Sequence, residues 1–178
     1  MNAYASHTGT RRNLATLRAA GWRLLAQPHN LRTEGFAYAL DNGAWSAFQQ
    51  GTAFDVPAFE NAVATIGAGA DWIVAPDIVA GGLASLRLTE EWLPRLAGIG
   101  RRRLIAVQDG MSLADVAPML GDDVGVFVGG TTAWKLRTMR AWGGGSAGGR
   151  GLPACRPRQH MPTHPFVSRR KRRFVRWH

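Results

Sequence analysis

The chain is poor in the residue types that would tie it to an extracellular, metal-bound or membrane setting. It has one cysteine, Cys155, among 178 residues, so neither an internal disulfide nor a Cys-x-x-Cys metal site can form. No metal and no cofactor are expected. Long apolar runs are also missing: none approaches the roughly 18 residues of a membrane helix, and Met1 to Arg12 lacks the basic and apolar segments of a signal peptide. These absences lead us to expect a cytoplasmic protein without membrane contact. Acidic residues stop early, the last being Asp123.

The net charge of +10 invites a nucleic-acid reading, but its distribution argues otherwise. Residues 1–142 hold 13 Lys/Arg against 12 Asp/Glu, whereas residues 143–178 hold 9 against none. The surplus therefore sits in the tail and says little about the surface of the rest. With 46% hydrophobic residues the chain can bury one sizeable core. It is short of the roughly 250 residues of a complete eight-stranded α/β barrel.

From Ala3 to Trp142, short apolar runs alternate with helix-like stretches, which predicts βα units on a parallel sheet. The expected strands are Ala3–Ser6, Arg23–Ala26, Ala37–Leu40, Trp72–Ala75, Leu104–Val107 and Val124–Val128. Helix starts are signalled by Asp55 before Val56-Pro57, with Phe59, Val63 and Ile66 on one face and Gly67 as the stop. Ser112 and Asp115 read as a capping box ahead of Leu113, Val116 and Leu120. Thr10 would cap a helix through Leu14 and Leu17, and Thr132 one through Leu136 and Met139 to Trp142. Gln27 to Phe36 is barely long enough for a crossover helix, so that unit is irregular or its strand is misplaced. The expected fold class is α/β, an incomplete (β/α)8 TIM-type barrel of about six βα units over residues 1–142.

After Trp142 the periodicity ends in a Gly-rich run, several prolines and Arg169-Arg170-Lys171-Arg172-Arg173. Residues 143–178 are expected to be a disordered basic tail, because nothing there can bury a face. A frameshift is the favoured origin. Back-translating Leu152–His160 and reading one nucleotide later can give Leu-His-Val-Gly-Arg-Val-Asn, and Arg172–His178 likewise gives Ala-Ser-Phe-Asp-Gly-Thr. Both resemble further barrel strands. The alternative is a genuine basic arm for phosphates.

In α/β barrels the active site lies at the carboxyl ends of the strands. Here those ends read Ser6-His7-Thr8, Asp41-Asn42-Gly43, Pro76-Asp77, Gln108-Asp109-Gly110 and Gly129-Gly130-Thr131. Each has a structural reading, Asp77 as a helix cap, Asn42-Gly43 as a turn and Gly129-Gly130 as tight packing. Their recurrence at five strand ends favours one shared pocket. His7 reads as hydrogen-bonded rather than catalytic, Trp22, Trp72, Trp92, Trp134 and Trp142 as packing, and Arg101-Arg102-Arg103 as a solvated turn on the opposite face.

Leu40-Asp41-Asn42-Gly43-Ala44-Trp45 resembles the D-S-G-G-F element of tRNA-guanine transglycosylases, and Val74-Ala75-Pro76-Asp77 their second strand-end aspartate. Val107-Gln108-Asp109-Gly110 is similar to their V-Q-G element and Val128-Gly129-Gly130 to their V-G-G element, all in the family's order over roughly residues 3–142. The resemblance is closer to the bacterial and phage branch proposed to insert 7-deazaguanine derivatives into DNA. It implies exchange of guanine for a 7-deazapurine base in nucleic acid, DNA more than tRNA. Asp41 would act in proton transfer, Asp77 would accept from the N1-H and N2-H₂ of the base, and Gln108 with the backbone N-H groups of Gly129 and Gly130 would face its O6. The family's nucleophilic aspartate and zinc-binding cysteines have no counterpart, and Ala44 and Trp45 replace a glycine and a phenylalanine. The chain as it stands is therefore expected to be inactive in exchange. Two other classes compete: a barrel enzyme on a small phosphorylated substrate held at Gly129-Gly130-Thr131, and a non-catalytic nucleic-acid binder using the tail. Convergence of Asp41, Asp77 and Gln108 on one place favours the first reading.

Overall fold

The computed structural model describes residues 2–7 and 10–144, so the expectations for residues 145–178 lie outside the described residues. Six strands, β1 (Tyr4–Ser6), β2 (Arg23–Ala26), β3 (Tyr38–Leu40), β4 (Ile73–Val74), β5 (Arg103–Val107) and β6 (Val124–Val128), form one parallel sheet in the order β1-β2-β3-β4-β5-β6. Six α-helices accompany them: α1 (Arg11–Ala19), α2 (Ala44–Gln50), α3 (Val56–Ile66), α4 (Leu83–Trp92), α5 (Leu113–Val116) and α6 (Thr132–Gly144). All six expected strands are present. β4 is shorter than expected, although Trp72 O and Ala75 N on either side of it still bond to Leu40 and Leu104.

Strand order equal to chain order has a geometric consequence. Right-handed crossovers that never reverse direction place every helix on the same face of the sheet. Strand alternation then sorts the apolar residues into two sets. Ala26, Leu40, Ile73, Ala75, Ile105 and Val107 join the helices through Phe59, Ala62, Leu86, Trp92 and Trp134. Ala39, Trp72, Val74, Leu104 and Ala106 form a second cluster with Tyr4, Leu25 and Phe127 on the face without helices.

That second face is concave. Tyr4 on β1 and Trp72 at the start of β4 have ring centroids 5.0 Å apart. In a flat sheet three strand spacings would separate them by about 14 Å. Trp72 also reaches Phe127 of β6 at 5.9 Å, and the Tyr4 hydroxyl donates to Asp71 at 2.9 Å. The curvature buries apolar side chains against each other without a covering layer. The sheet is nonetheless open, since no pairing joins β1 to β6 among the described residues.

Local signals act mostly as the sequence predicts. Thr10 caps α1 by accepting from Asn13 N at 3.3 Å, Asp55 caps α3 by accepting from Ala58 N at 2.9 Å, and the Ser112–Asp115 capping box closes in both directions. Two details differ. The side chain that accepts an N-H of the first turn of α6 is that of Thr131, not Thr132 (Trp134 N at 3.3 Å). The buried face of α6 carries Trp134 and Trp142, while Leu136 is 56% exposed. Gln27 to Phe36 contains no helix, yet β3 pairs in register beyond it, so the unit is irregular and its strand correct. Arg103, at the amino end of β5, pairs with Asp123 and donates to Leu93 O, on the end away from the candidate site. No helix among the described residues is long and apolar enough to cross a membrane.

Candidate functional site

Because the sheet is parallel throughout, all six strands release their chains at one end. Asp41 leaves β3 two residues after Ala39 and so faces the concave side. The β2–β3 register places Gln27 beside it, and Gln27 Nε2 lies 3.4 Å from Asp41 Oδ2. Ser46 of α2 donates to Gln27 Oε1 at 3.3 Å.

Asn42 links this strand to the next. It is 3% exposed; its Nδ2 donates to Ala75 O at 2.8 Å and to Asp77 Oδ1 at 2.7 Å, and its Oδ1 accepts from Ala44 N at 2.8 Å. Both amide hydrogens are thereby used. Gly43 follows with φ +83°, and a Cβ there would stand 3.1 Å from Pro28 Cδ.

Asp77 is not a helix cap, because α4 begins only at Leu83 behind Gly82. Two buried hydroxyls of α4 hold its loop, Ser85 Oγ accepting from Ile78 N at 2.9 Å and Thr89 Oγ1 donating to Pro76 O at 3.0 Å. Three residues beyond, Ala80 adopts φ +58°, a left-handed conformation that costs a residue with a Cβ about 1–2 kcal/mol. Gln108, 4% exposed at the end of β5, donates from Nε2 to Ile78 O at 2.9 Å and ties β5 to the same loop. Asp109 turns the other way, accepting from Thr131 N and Thr131 Oγ1, both at 2.7 Å.

Asp77 is bonded to Asn42, the residue after Asp41, and Gln108 to Ile78, the residue after Asp77, so the three strand ends are linked through these neighbours. Gly129 and Gly130 join from the β6 side through Asp109. One expected role is corrected: Gly129 N donates to Val107 O at 2.8 Å within the sheet, so it is not free to face a base oxygen. Two cavities adjoin the rim. One of about 280 Å³ lies between Pro28-His29, α2 and Thr52–Asp55 and shares Asn42 and Gly43 with the site. The other, about 80 Å³, is lined by Ser6, His7, Leu25, Gln27 and Asn30. Neither has Asp41 or Asp77 in its lining. His7 Nε2 lies 3.3 Å from Glu34 Oε1, within hydrogen-bond distance.

Sequence reasoning missed Gln27 and Ser46, and it treated Asn42 only as a turn residue. The signal for Asn42 was available, since a buried amide between two strand-end carboxylates needs partners for both hydrogens.

The electrostatics are those of two carboxylates without a cation. Burial, then the charge of Asp77, pushes Asp41 up to about 6, against the opposing bonds from Asn42, Gln27 and Gly43. Burial also raises Asp77, and the bond from Asn42 lowers it. A carboxyl group near 6 can both give and take a proton close to neutral pH. No protein-family model, curated protein or solved structure matches the chain.

Proposed function

We propose that the sheet is six units of a TIM-type (β/α)8 barrel whose rim binds guanine and 7-deazapurine bases for exchange in nucleic acid, DNA rather than tRNA. The observation that carries the reading is the half-buried pair Asp41 and Asp77 on adjacent strand ends, with no lysine or arginine among the groups that shift either. Such a pair calls for a ligand rich in N-H donors. Guanine and 7-deazaguanine present N1-H and N2-H₂ on one edge, which one carboxylate accepts together. In this reading Asp77 takes those donors, Asp41 moves the proton as the purine leaves or enters, and Gln108 keeps an amide N-H toward the base oxygen. The motif order named above supports the family reading, and the missing counterpart to the zinc cysteines fits the DNA-directed branch as it also fits a truncated chain. No acidic residue follows Asp123, so the reading assigns base recognition and proton transfer, and no nucleophile, to this chain.

A phosphate-binding reading of Gly129-Gly130-Thr131 is disfavoured by the bonding of that turn. Gly129 N and Thr131 N are already bonded, and Asp109 places a carboxylate at that turn.

Calorimetric titration with guanine, 7-deazaguanine and adenine tests the proposal. Each hydrogen bond to a charged acceptor contributes about 1.5–3 kcal/mol, so Asp77→Ala is expected to weaken guanine binding by about tenfold or more. Equal binding of adenine, or an unchanged affinity in Asp77→Ala, would overturn it.

A further inference from the structure

We infer that Asn42 is a positioning residue that differentiates the two carboxylates, holding Asp77 as the anionic acceptor and leaving the exchangeable proton on Asp41. The chemical use of this division rests on the base-exchange reading, whereas its test needs no ligand.

Asn42 has no capacity left to bind a ligand through its amide hydrogens, which Ala75 O and Asp77 Oδ1 occupy. Its own carbonyl is fixed by Ala44 N, so the amide cannot flip without losing all three bonds. An amide N-H held 2.7 Å from a carboxylate oxygen stabilises the ionised form, and it donates nothing to the protonated oxygen's hydroxyl. The corresponding side-chain donor to Asp41, Gln27 Nε2, is longer at 3.4 Å. Asp41 also accepts from the backbone N-H groups of Asn42 and Gly43, so burial and the neighbouring charge of Asp77 are what leave the proton on Asp41, while Asp77 has Asn42 alone to oppose its burial.

Beyond the charge of Asp77 on Asp41, other charged groups do not supply the difference. On the β2–β3 loop, His29 faces Asp55 at 3.7 Å and is mostly exposed. α2 carries no charge, and the charged residues of α4, Arg87, Glu90 and Glu91, are exposed. At the end of β5, Asp109 is bound to Thr131. Burial raises both carboxylates, and among the side-chain bonds the one from Asn42 is the only one that opposes it at Asp77.

The test is a carboxyl-carbon NMR titration of Asp41 and Asp77 in the full chain, in Asn42→Ala and in Asn42→Ser, with circular dichroism as the fold control. The wild-type chain is expected to protonate Asp41 before Asp77 as pH falls. Asn42→Ala should raise the proton affinity of Asp77 at least tenfold and narrow or invert the order, while Asn42→Ser, which keeps one hydroxyl donor, should retain it in large part. Where Asn42→Ala does not fold, Asn42→Gln supplies the comparison, its longer amide displaced from Asp77. Asp77 protonating first in the wild-type chain, or a folded variant lacking the donor with both titrations unchanged, would overturn the inference. A preserved order in a chain that binds no guanine would instead overturn the base-exchange reading alone.

Discussion

Replacing Gly130 with alanine should loosen the β6 side of the rim, and the size of the effect follows from two separable terms. Gly130 has φ +74°, a conformation that costs an alanine about 1–2 kcal/mol. The new Cβ would also stand 2.5 Å from Asp109 Oδ2, 3.1 Å from Asp109 N and 3.1 Å from Trp134 Cε3. Asp109 cannot swing away without giving up both bonds to Thr131, and Trp134 is buried against the helical layer. Overpacking of this kind adds about 1–3 kcal/mol, for a total of about 2–5 kcal/mol. Gly110 provides the control: its φ is +87° with nothing within 4 Å of an added Cβ, so Gly110→Ala should carry the conformational term only. Urea unfolding of both variants, fitted with a common slope, measures the difference. Adding Asp109→Ala to Gly130→Ala should recover part of the loss, because the nearest colliding atom is removed. If Gly130→Ala and Gly110→Ala destabilise equally, the contact between the β5 and β6 loops does not constrain this turn and the argument fails.

Three further outcomes are expected. Asp41 binds its proton more tightly folded, at about 6, than at its ordinary 3.8, so its contribution to stability is greatest at low pH and is lost as pH rises through about 6. Asp41→Asn should therefore flatten the stability profile between about pH 4 and 7 and raise stability above it by about 1–3 kcal/mol, read from unfolding at several pH values; a steeper profile would contradict the desolvation account. Phe59→Ala removes a fully buried ring packed on Phe54 and Trp92 and should cost about 3–5 kcal/mol in chemical denaturation. Tyr4→Phe deletes the hydroxyl that joins β1 to Asp71 and should cost about 1 kcal/mol, with the Trp72 fluorescence environment altered because the rings lie in contact; an unchanged stability would mean that the curvature does not depend on that bond.

How far the fold could be read depended on the kind of signal each segment carries. The strands were legible because runs such as Leu104–Val107 are apolar on both faces, as a sheet covered by helices on one side and curled onto itself on the other requires. Capped helices were legible for a local reason, since Asp55 and Ser112 act on N-H groups three residues away. α2 and α4 were not anticipated residue by residue: each starts behind a glycine with positive φ, which itself has no side chain to cap the helix. At the site, position was readable and bonding was not. Asp41, Asp77 and Gln108 follow strands, and parallel pairing alone brings them to one end. That Gly129 N is spent on Val107 O depends on where β6 stops pairing, which no residue type announces. Closure of the sheet is likewise a property of strand geometry beyond any local pattern.

The rim bonds have a further logic that follows from strand order. Gln27 reaches Asp41, Asn42 reaches Asp77, Gln108 reaches Ile78, and Asp109 reaches Thr131. Each link crosses one strand boundary, and in sequence they join the ends of β2, β3, β4, β5 and β6. A sheet whose order reversed would leave a gap at the reversal, where a ligand could insert between separated loops. Among the described residues the strand order does not reverse, so no such gap opens between neighbouring strand ends. Most of the amide groups in this chain of bonds are engaged with backbone or with a neighbouring side chain, while the carboxylates Asp41 and Asp77 keep lone pairs to spare. The polar capacity left on the rim is therefore predominantly that of an acceptor. On the proposed reading, this is why a donor-rich base edge rather than an anion is the ligand expected there.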